Sequence, residues 1–265
     1  MSGSMIPEQR QQELLRLLQD AGVLSTRSLT DTLNVSHMTI RRDIAALEAE
    51  GRVVAVQGGV RLAERTPREP PRERSTRSTL EMPSKQAIAA AAASHVDDGM
   101  VVFLDAGTTC EAVVPHLADR TGITVVTNDF HTVEALGPYR HIDAIHTGGV
   151  IDRDRSSSNG PLAAATVRSL AIDLYLMSTG TWDAEFGVTV PVADTALLKK
   201  AALEASARSL LLADSTKFGA FERYRVTPLA TLDGVITDDG LSAEEQESVT
   251  SRGVQLYTVH PSSSS

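Results

Sequence analysis

Seven strand-length apolar runs, separated by segments with helical periodicity, occupy residues 80–259 of this 265-residue chain. Continuous apolar runs are typical of strands buried on both faces, and their alternation with helices favours a parallel sheet covered by helices. This part of the chain is predicted to be a mainly parallel α/β domain of Rossmann-like type. Its predicted strands are Met100–Leu104, Ile123–Thr127, Ile142–Thr147, Leu174–Ser178, Leu210–Ala213, Gly234–Thr237 and Gln255–Val259. Helices are predicted between most of them, including Ser84–His95, Thr109–Leu117, Leu162–Leu170, Asp194–Ala207 and Ser242–Ser251.

Residues 1–62 have a different pattern, in which three helices precede a short hairpin. Leucines at helical spacing predict a first helix over Glu8–Ala21, and Ser25 or Thr26 can cap a second. Ser36 can cap a third helix, which ends at a glycine. Two extended runs, Arg52–Val56 and Val60–Leu62, follow and are joined across a Gly-Gly turn.

The third of these helices has the features of a DNA recognition helix. If Ile40, Ile44 and Leu47 face inward, then the helical period turns Met38, Arg42 and Ala45 outward, with Thr39 and Arg41 on the flanks. The hydroxyl and backbone N–H groups of its first turn can meet a phosphate, and its arginines can contact phosphate or guanine. A small protein-interaction domain with a charged face is the alternative that periodicity alone leaves open.

The segment SHMTIRRDIAALEAEGRVVAVQGGV, from Ser36 to Val60, closely resembles the signature of the DeoR family of bacterial transcriptional regulators. The resemblance implies a winged helix-turn-helix that binds operator DNA. Asp43 is expected to pair with a neighbouring arginine or to cap local structure, and His37 is either a DNA contact or an exposed polar residue. The DNA-binding residues are then Ser36, His37, Met38, Thr39, Arg41, Arg42, Gly58 and Gly59.

The net charge of −9 does not argue against DNA, because it is unevenly distributed. Residues 1–62 carry seven arginines and seven acidic residues, whereas residues 82–265 carry 13 basic and 23 acidic residues. Residues 63–79 combine prolines with charges and are predicted to be an extended linker. The expected organisation is a DNA-binding domain (1–62), a linker (63–79), an effector-binding and oligomerisation domain (80–259) and a disordered tail (260–265).

The turn DAGTTC, from Asp105 to Cys110, directly follows the first strand of the α/β domain. Gly107 lets the backbone approach a ligand, and Thr108 and Thr109 add hydroxyl groups beside free helix N–H groups. These features predict a site for a phosphate or a carboxylate. The pattern is not a P-loop, so ATP is not implied.

Polar or glycine-rich turns also follow the other strands. In a parallel sheet the strand C-termini lie at one edge, which is where ligands bind. The sequence therefore predicts one binding site assembled from several turns. They are Thr127-Asn128, Gly148-Gly149, Thr179-Gly180 and Asp214–Lys217.

This set of turns, from DAGTT through LLADSTKFG to GVITDD, resembles the DeoR effector domain, which is related in fold to ribose-5-phosphate isomerase and sugar-phosphate deaminases. The resemblance implies a phosphorylated sugar or a sugar-derived metabolite as effector. It assigns the phosphate to Gly107, Thr108 and Thr109, a loop-shaping or hydroxyl-binding role to Asp105, and positive charge to two lysines. The alternative for Lys199 is that it lies on a solvated helix face and that Lys200 supplies the positive charge instead. The remaining residues expected to bind the effector are Asn128, Gly149, Gly160 and Lys217.

An enzymatic function is the main alternative, namely a sugar-phosphate isomerase or deaminase with a DNA-binding appendage. Asp183 and Glu185 could form an acid/base pair. However, Thr181-Trp182 replaces the glycine-aspartate context of the isomerase loop, and Trp182 is expected to be a core or pocket-wall residue. We therefore expect a repressor of carbohydrate-metabolism genes without catalytic residues. A protein-interaction adaptor is a third possibility.

No cofactor or metal site is expected, because the seven histidines are scattered and Cys110 lacks ligand partners. Cys110 is expected to pack in the interior. The N-terminus lacks the apolar segment of a signal peptide, and no apolar run is long enough to cross a membrane, so a cytoplasmic location and no membrane partner are expected. A DNA-binding module without net charge binds weakly, which favours a homo-oligomer, either a dimer or a tetramer.

Overall fold

A computed structural model describes residues 7–21, 23–49, 53–56, 59–62 and 81–261 of the chain. The chain divides into two compact units, residues 1–66 and residues 67–265. The predicted linker, Gly58 and the tail residues 262–265 lie outside the described residues.

The described residues of the first unit form three helices and a small antiparallel sheet. The predicted helices and hairpin are present, and the sheet has the strand order β1-β3-β2. The strand β1 was not predicted, because three residues are too few to show a periodicity. In chain order the elements are α1 (Pro7–Ala21), β1 (Val23–Ser25), α2 (Thr26–Leu33), α3 (His37–Ala49), β2 (Val53–Val56) and β3 (Gly59–Leu62).

The N-terminal end of α2 follows the predicted capping chemistry. The Oγ of Ser25 accepts a hydrogen bond of 3.0 Å from the backbone N of Ser28, which satisfies a free N–H of the first turn. At the other end Asn34 adopts the left-handed conformation (φ 51°). The three helices and the sheet bury one apolar core. Its fully buried side chains are Leu14, Leu18, Leu29, Ile40, Leu47 and Val60.

The second unit is built on a seven-stranded sheet in which every pair of neighbouring strands is parallel, in the order β15-β14-β12-β9-β4-β5-β6. The predicted α/β fold class is thus confirmed, and each of the seven predicted strands lies in this sheet. The strands are β4 (Val101–Leu104), β5 (Thr124–Thr127), β6 (Asp143–His146), β9 (Ile172–Ser178), β12 (Ser206–Leu212), β14 (Gly234–Asp238) and β15 (Leu256–Val259).

Helices cover both faces of the sheet, which makes a three-layer domain. Val102 and Leu104 of β4 point into one core, and Phe103 between them points into the other. The helix predicted to reach Ala207 ends at Ala205, because β12 begins at the next residue. The helices are α4 (Met82–Ala93), α5 (Thr108–Glu111), α6 (Phe130–Leu136), α7 (Gly160–Arg168), α8 (Ala193–Ala205) and α9 (Ala243–Thr250), with 3-10 turns at Val114–Leu117, Ser215–Lys217 and Leu229–Thr231.

The order of the strands creates a crevice between β4 and β9. From β4 the chain adds β5 and β6 on one side, and it then returns to add β9, β12, β14 and β15 on the other. The helix that follows β4 packs in one core, whereas α8, the helix that follows β9, packs in the other. Connections that diverge in this way leave a crevice at the carboxyl ends of the two strands, where open α/β sheets bind ligands.

Two small antiparallel sheets complete the second unit. The hairpin of β7 (Val150–Asp152) and β8 (Ser157–Asn159) follows β6. A three-stranded sheet joins β10 (Thr181–Asp183), β11 (Gly187–Val190) and β13 (Tyr224–Thr227). None of these five strands was predicted, because each has only three or four residues and they lie in turn-rich sequence.

Candidate nucleic-acid interface and effector site

The helix α3 has one buried face and one exposed face, as the sequence predicts. Ile40 and Leu47 are fully buried, and Ile44 is 6% exposed. Met38 is 68% exposed, and Arg41, Arg42, Ala45 and His37 are exposed as well. The helix α3 therefore presents two arginine side chains on its exposed face.

The start of α3 is organised by Ser36. Its Oγ accepts a hydrogen bond of 3.2 Å from the backbone N of Thr39 and lies 2.8 Å from the Thr39 hydroxyl oxygen. This bond satisfies one free N–H of the first turn and fixes both hydroxyl groups at the exposed helix start.

Asp43 lies on the buried side of α3 and pairs with Arg10 of α1. The two side chains form a bidentate pair, with Nε to Oδ2 at 2.5 Å and Nη2 to Oδ1 at 3.0 Å, and Gln11 lies at 3.5 Å. Asp43 is 2% exposed and Arg10 is 7% exposed. The expected pairing of Asp43 with an arginine is confirmed, but this arginine is not a neighbour in the sequence, since it lies 33 residues away. The pair fixes α3 against α1.

Gly59 is buried in the hairpin, where β3 runs against β1. A Cβ on Gly59 would lie 2.5 Å from the carbonyl oxygen of Leu24, so close packing accounts for the glycine. Nearby, Glu48 of α3 accepts a hydrogen bond of 3.1 Å from the backbone N of Ala55 in β2. A shallow groove of about 380 Å³ lies between α3 and the hairpin, and Arg41 and Val56 line it.

In the second unit, Asp105 occupies the crevice at the carboxyl ends of β4 and β9. It is 2% exposed. Its Oδ2 accepts hydrogen bonds from the backbone N of Ser178 (3.0 Å) and the hydroxyl of Tyr175 (3.2 Å), and its Oδ1 accepts one from Ala106 N (3.0 Å). Asp105 thus ties the end of β4 to the end of β9.

The Nζ of Lys199 in α8 forms an ion pair with Asp105 Oδ2 and donates a hydrogen bond of 2.7 Å to the carbonyl oxygen of Ser178. Lys199 is 4% exposed, and Lys200 is exposed. The alternative interpretation of Lys199 as part of a solvated helix face is therefore wrong. Its charge lies inside the crevice, opposite the loop after β4.

The loop after β4 is held in place by side chains that follow β5. The backbone N of Ala106 donates to Asn128 Oδ1 at 2.9 Å, and the backbone N of Gly107 donates to Asp129 Oδ2 at 3.1 Å. A Cβ on Gly107 would lie 2.6 Å from Ser178 Oγ, so this position requires glycine. Asp129 is fully buried and was not predicted, although it directly follows the predicted Asn128.

Thr108 and Thr109 begin α5 beside this loop. Thr109 is 2% exposed and Thr108 is half-buried. The structure therefore brings Asp105, Gly107 and both threonines together at one end of the sheet.

Asn128 also links the loop to the β7–β8 hairpin. Its Nδ2 donates to the backbone carbonyl oxygen of Ser158 at 2.9 Å, and the backbone carbonyl oxygen of Asn128 accepts from Ser158 N at 2.8 Å. Gly149 (φ 111°) lies against the same hairpin, and a Cβ there would be 2.6 Å from the carbonyl oxygen of Asn159. Gly160 begins α7 directly after the hairpin. Asn128, Gly149 and Gly160 thus adjoin one hairpin, as the prediction of a single site requires.

Lys217 lies further along the sheet edge, where it forms an ion pair of 3.0 Å with Asp214. Burial raises the pKa of Asp214, but Lys217, a hydrogen bond from Thr216 and the charge of Lys85 together bring the net pKa below its usual range. Lys85 in α4 is 3% exposed. Sequence reasoning missed it, although a single lysine in an alanine-rich helix was an available signal.

Of the two carboxylates considered for catalysis, Asp183 has a structural role. Asp183 is 2% exposed, and its Oδ1 accepts hydrogen bonds from the backbone N atoms of Glu185 (2.8 Å) and Phe186 (3.0 Å), which organise the turn between β10 and β11. Trp182 is fully buried in the core and contacts Phe218 edge-on. The expectation that Trp182 is a core residue is confirmed.

Cys110 is fully buried, and its thiol donates to the carbonyl oxygen of Leu176 at 3.2 Å. Burial raises the pKa of this thiol well above its usual range, with Asp105 adding to the effect.

Over the described part of the chain no group of three or more His, Cys, Asp or Glu side chains is placed to hold a metal ion. Within the same residues no helix is long and apolar enough to cross a membrane.

Comparisons with known proteins match both units. The model of the DeoR-like helix-turn-helix domain matches residues 10–66, and that of the DeoR C-terminal sensor domain matches residues 81–239. The HTH-type transcriptional regulator YgbI of Escherichia coli strain K12 is 39% identical over 252 residues, which cover 95% of this chain and 98% of that protein. The L-fucose operon activator of the same strain is 30% identical over 87% of this chain and 94% of that protein.

Among solved structures, ribose 5-phosphate isomerase A of Methanocaldococcus jannaschii is similar over 51% of this chain and 53% of that chain, with 15% identity and a TM-score of 0.38. This likeness is too distant to carry an argument about activity. The two domain matches and the extended identity to YgbI are specific, and they cover the helix α3 as well as the crevice at Asp105. The chain belongs to the DeoR family of transcriptional regulators.

Proposed function

We propose that this protein represses carbohydrate-metabolism genes and that a phosphorylated sugar or a sugar-derived metabolite controls it. The observation that carries the DNA-binding part is the exposed face of α3, where Arg41 and Arg42 lie opposite the buried Ile40 and Leu47. A recognition helix needs this arrangement, because one face must pack on the domain while the other enters the major groove. The proposed DNA contacts are Ser36, His37, Met38, Thr39, Arg41, Arg42 and Gly58. Gly59, which was also expected to contact DNA, is buried where β3 packs on β1 and is not favoured as a contact.

The effector is proposed to bind in the crevice between β4 and β9. The loop of Gly107, Thr108 and Thr109 presents hydroxyl groups and the N-terminus of a helix, which suit a phosphate. Lys199 lies in the same crevice, where its ammonium group, already paired with Asp105, is proposed to attract the phosphate as well. Asp105, Asn128, Gly149, Gly160 and Lys217 complete the proposed site, and Lys85 adds a further positive charge.

Control by an effector requires that binding in the crevice favours one placement of the DNA-binding domains over another. We propose that two or four chains act together on repeated half-sites in the cytoplasm, because one module with no net charge binds DNA weakly. The protein is proposed to have no enzymatic activity. This is supported by the structural role of Asp183, the first of the two carboxylates considered for proton transfer.

Footprinting of the full-length protein on its own upstream region tests the DNA-binding proposal. Protection of repeated half-sites is expected, together with an altered affinity when one member of a panel of phosphorylated sugars is added. Absence of protection at low salt would reject operator binding.

Turnover of any panel compound would support the isomerase or deaminase alternative. Deletion of the gene should raise transcription of its target, and a fall would assign activation instead.

A further inference from the structure

Two neighbouring helix starts in the second unit carry buried polar atoms that remain unpaired. Asn159 is the N-cap residue of α7, but its side chain makes no capping hydrogen bond. It is 6% exposed, and its Nδ2 donates to Ser157 Oγ at 3.3 Å, whereas its Oδ1 has no partner among the described residues. The hydroxyl oxygen of Thr195, in the first turn of α8, is likewise buried and unpaired within the part of the chain that is described.

The two atoms belong to one region, because the starts of α7 and α8 adjoin each other. A Cβ on Gly160, the first residue of α7, would lie 3.5 Å from Asp194 Oδ2 in the first turn of α8. Thr195 and Lys199 lie four positions apart in α8, so they share one face of that helix, about 6 Å apart along its axis. Lys199 is the residue that pairs with Asp105. Thr195 therefore lies one helical turn from the lysine that pairs with Asp105 in the crevice, and Asn159 lies at the adjoining helix start.

The chemistry of these atoms favours a neutral hydroxyl group over a second anion. An amide oxygen can only accept a hydrogen bond, whereas a threonine hydroxyl both donates and accepts. Asp194 already places a carboxylate at the helix start, where it complements the partial positive charge. A further anion would meet this carboxylate. A ligand hydroxyl can donate to Asn159 and accept from Thr195 without such repulsion.

We propose that Asn159 and Thr195 form a second subsite, which binds a hydroxyl group of the effector beyond its phosphate. This inference rests on the proposed function, since it assumes that a phosphate is held by the Gly107–Thr109 loop. The subsite gives the protein selectivity for phosphorylated compounds with free hydroxyl groups over simple phosphate esters. Sites built to hydrogen-bond a hydroxyl discriminate strongly against analogues that lack it, because the buried polar groups stay unpaired.

Calorimetric titration of the full-length protein tests the subsite with three kinds of probe. They are inorganic phosphate, hexyl phosphate and a panel of sugar and polyol phosphates of three to six carbons. The readout is the ratio of the affinity for the best panel compound to the affinity for inorganic phosphate. The wild type is expected to bind this compound at least about tenfold more tightly than either control probe, which corresponds to one strong hydrogen bond.

Three variants identify the residues responsible. Asn159→Ala and Thr195→Val should each lower the ratio by about tenfold while leaving the affinity for inorganic phosphate within about twofold. Asn159→Asp keeps the acceptor oxygen and should retain the ratio, which would fall if the subsite held an anion. Thr166→Val is the matched control, because the Thr166 hydroxyl is exposed and already bonded to the Leu162 carbonyl oxygen. Thermal unfolding of each variant confirms that it is folded.

The possible failures are distinguishable. Phosphate binding without any preference for hydroxyl-bearing compounds would overturn the subsite and leave the phosphate site intact. An unchanged ratio in both Asn159→Ala and Thr195→Val would also overturn it. A protein that binds none of the probes, inorganic phosphate included, would overturn the proposed effector site and the subsite with it.

Discussion

Lys199 and Asp105 form an ion pair inside the crevice between β4 and β9, with 4% and 2% of their surfaces exposed. The pair connects α8 to the end of β4, and Asp105 in turn accepts a hydrogen bond from the end of β9. Each of these buried charges needs the other as its counter-charge, because neither side chain is solvated by water. The pair therefore couples the geometry of the candidate effector site to the stability of the domain.

Replacement of one partner of this pair should destabilise the second unit strongly. Asp105→Asn leaves the Lys199 ammonium buried without its counter-charge, and we expect a loss of about 3–5 kcal/mol in the free energy of unfolding. Urea unfolding followed by the fluorescence of Trp182, the only tryptophan, reports on this unit. Lys200→Met, at an exposed position, should change the free energy by less than about 0.5 kcal/mol. Equal effects of the two replacements would contradict the structural importance of the buried pair.

Asp43 should matter for the folding of the DNA-binding domain. Asp43→Asn breaks the buried bidentate pair with Arg10, for which we expect a loss of about 3 kcal/mol. Hydrogen exchange of peptides from α1 and α3 should accelerate by roughly a hundredfold if exchange follows unfolding of this unit. Asp31→Asn removes an exposed carboxylate of the same unit and should leave exchange unchanged. If exchange in Asp43→Asn is as slow as in the wild type, the pair is not needed for the stability of this unit.

Arg41 and Arg42 should contribute to DNA affinity and not to stability. Because both side chains are exposed, Arg41→Ala and Arg42→Ala should weaken operator binding. A variant that no longer neutralises one DNA phosphate should also have a salt slope smaller by about one. Fluorescence anisotropy over a range of salt concentrations measures both quantities. Arg168→Ala removes one positive charge from the second unit and serves as the control. If the arginine variants behave like this control, α3 does not dock as proposed.

Cys110 should be unreactive in the folded protein. The thiolate is the reactive form, and burial keeps the pKa of this thiol far above neutral pH. Ellman's reagent should modify no thiol in the native protein at pH 8 and one thiol per chain in urea, since Cys110 is the only cysteine. Rapid modification of the native protein would indicate that the start of α5 opens.

His95 should make the second unit less stable in mild acid. Burial, and secondarily the charge of Arg208, lowers the pKa of His95 below its usual value of 6.5. The unfolded chain then binds a proton more readily than the folded chain, so this contribution to stability is present above pH 6.5 and is lost as the pH falls towards the folded pKa. Urea unfolding between about pH 7.5 and 5.5 should show a shallower decline in His95→Gln than in the wild type. Parallel declines would argue against the lowered pKa.

Much of the fold could be predicted, because periodicity directly reports burial. The runs around Val102 and Leu211 have no polar alternation, and both are strands covered on two faces. The period of α3 placed Ile40 inside and Met38 outside. The hairpin at Val150 and the small sheet at Trp182 were missed, since three-residue strands are defined by their partners and not by a pattern of their own.

The candidate site was predicted in part. The residues that follow the strands, such as Asp105 and Asn128, could be placed at one edge because parallel strands end together. The partner of Asp105 could not be predicted, since Lys199 and Lys200 are adjacent in sequence and only the rotation of α8 decides which of them is buried. For the same reason the sequence alone does not distinguish Asn159 and Thr195 from other polar residues at helix starts.

The two domain types and the end of the sheet where the polar turns meet could be inferred from the sequence, because local periodicity and turn chemistry act over a few residues. The family could be inferred from the resemblance of residues 36–60 to its signature. The tertiary structure decided which charges are paired, since Asp43 meets Arg10 across 33 residues and Asp105 meets Lys199 across 94. Such pairs depend on how helices rotate and where strand ends converge. Burial in the folded chain then makes each partner indispensable to the other.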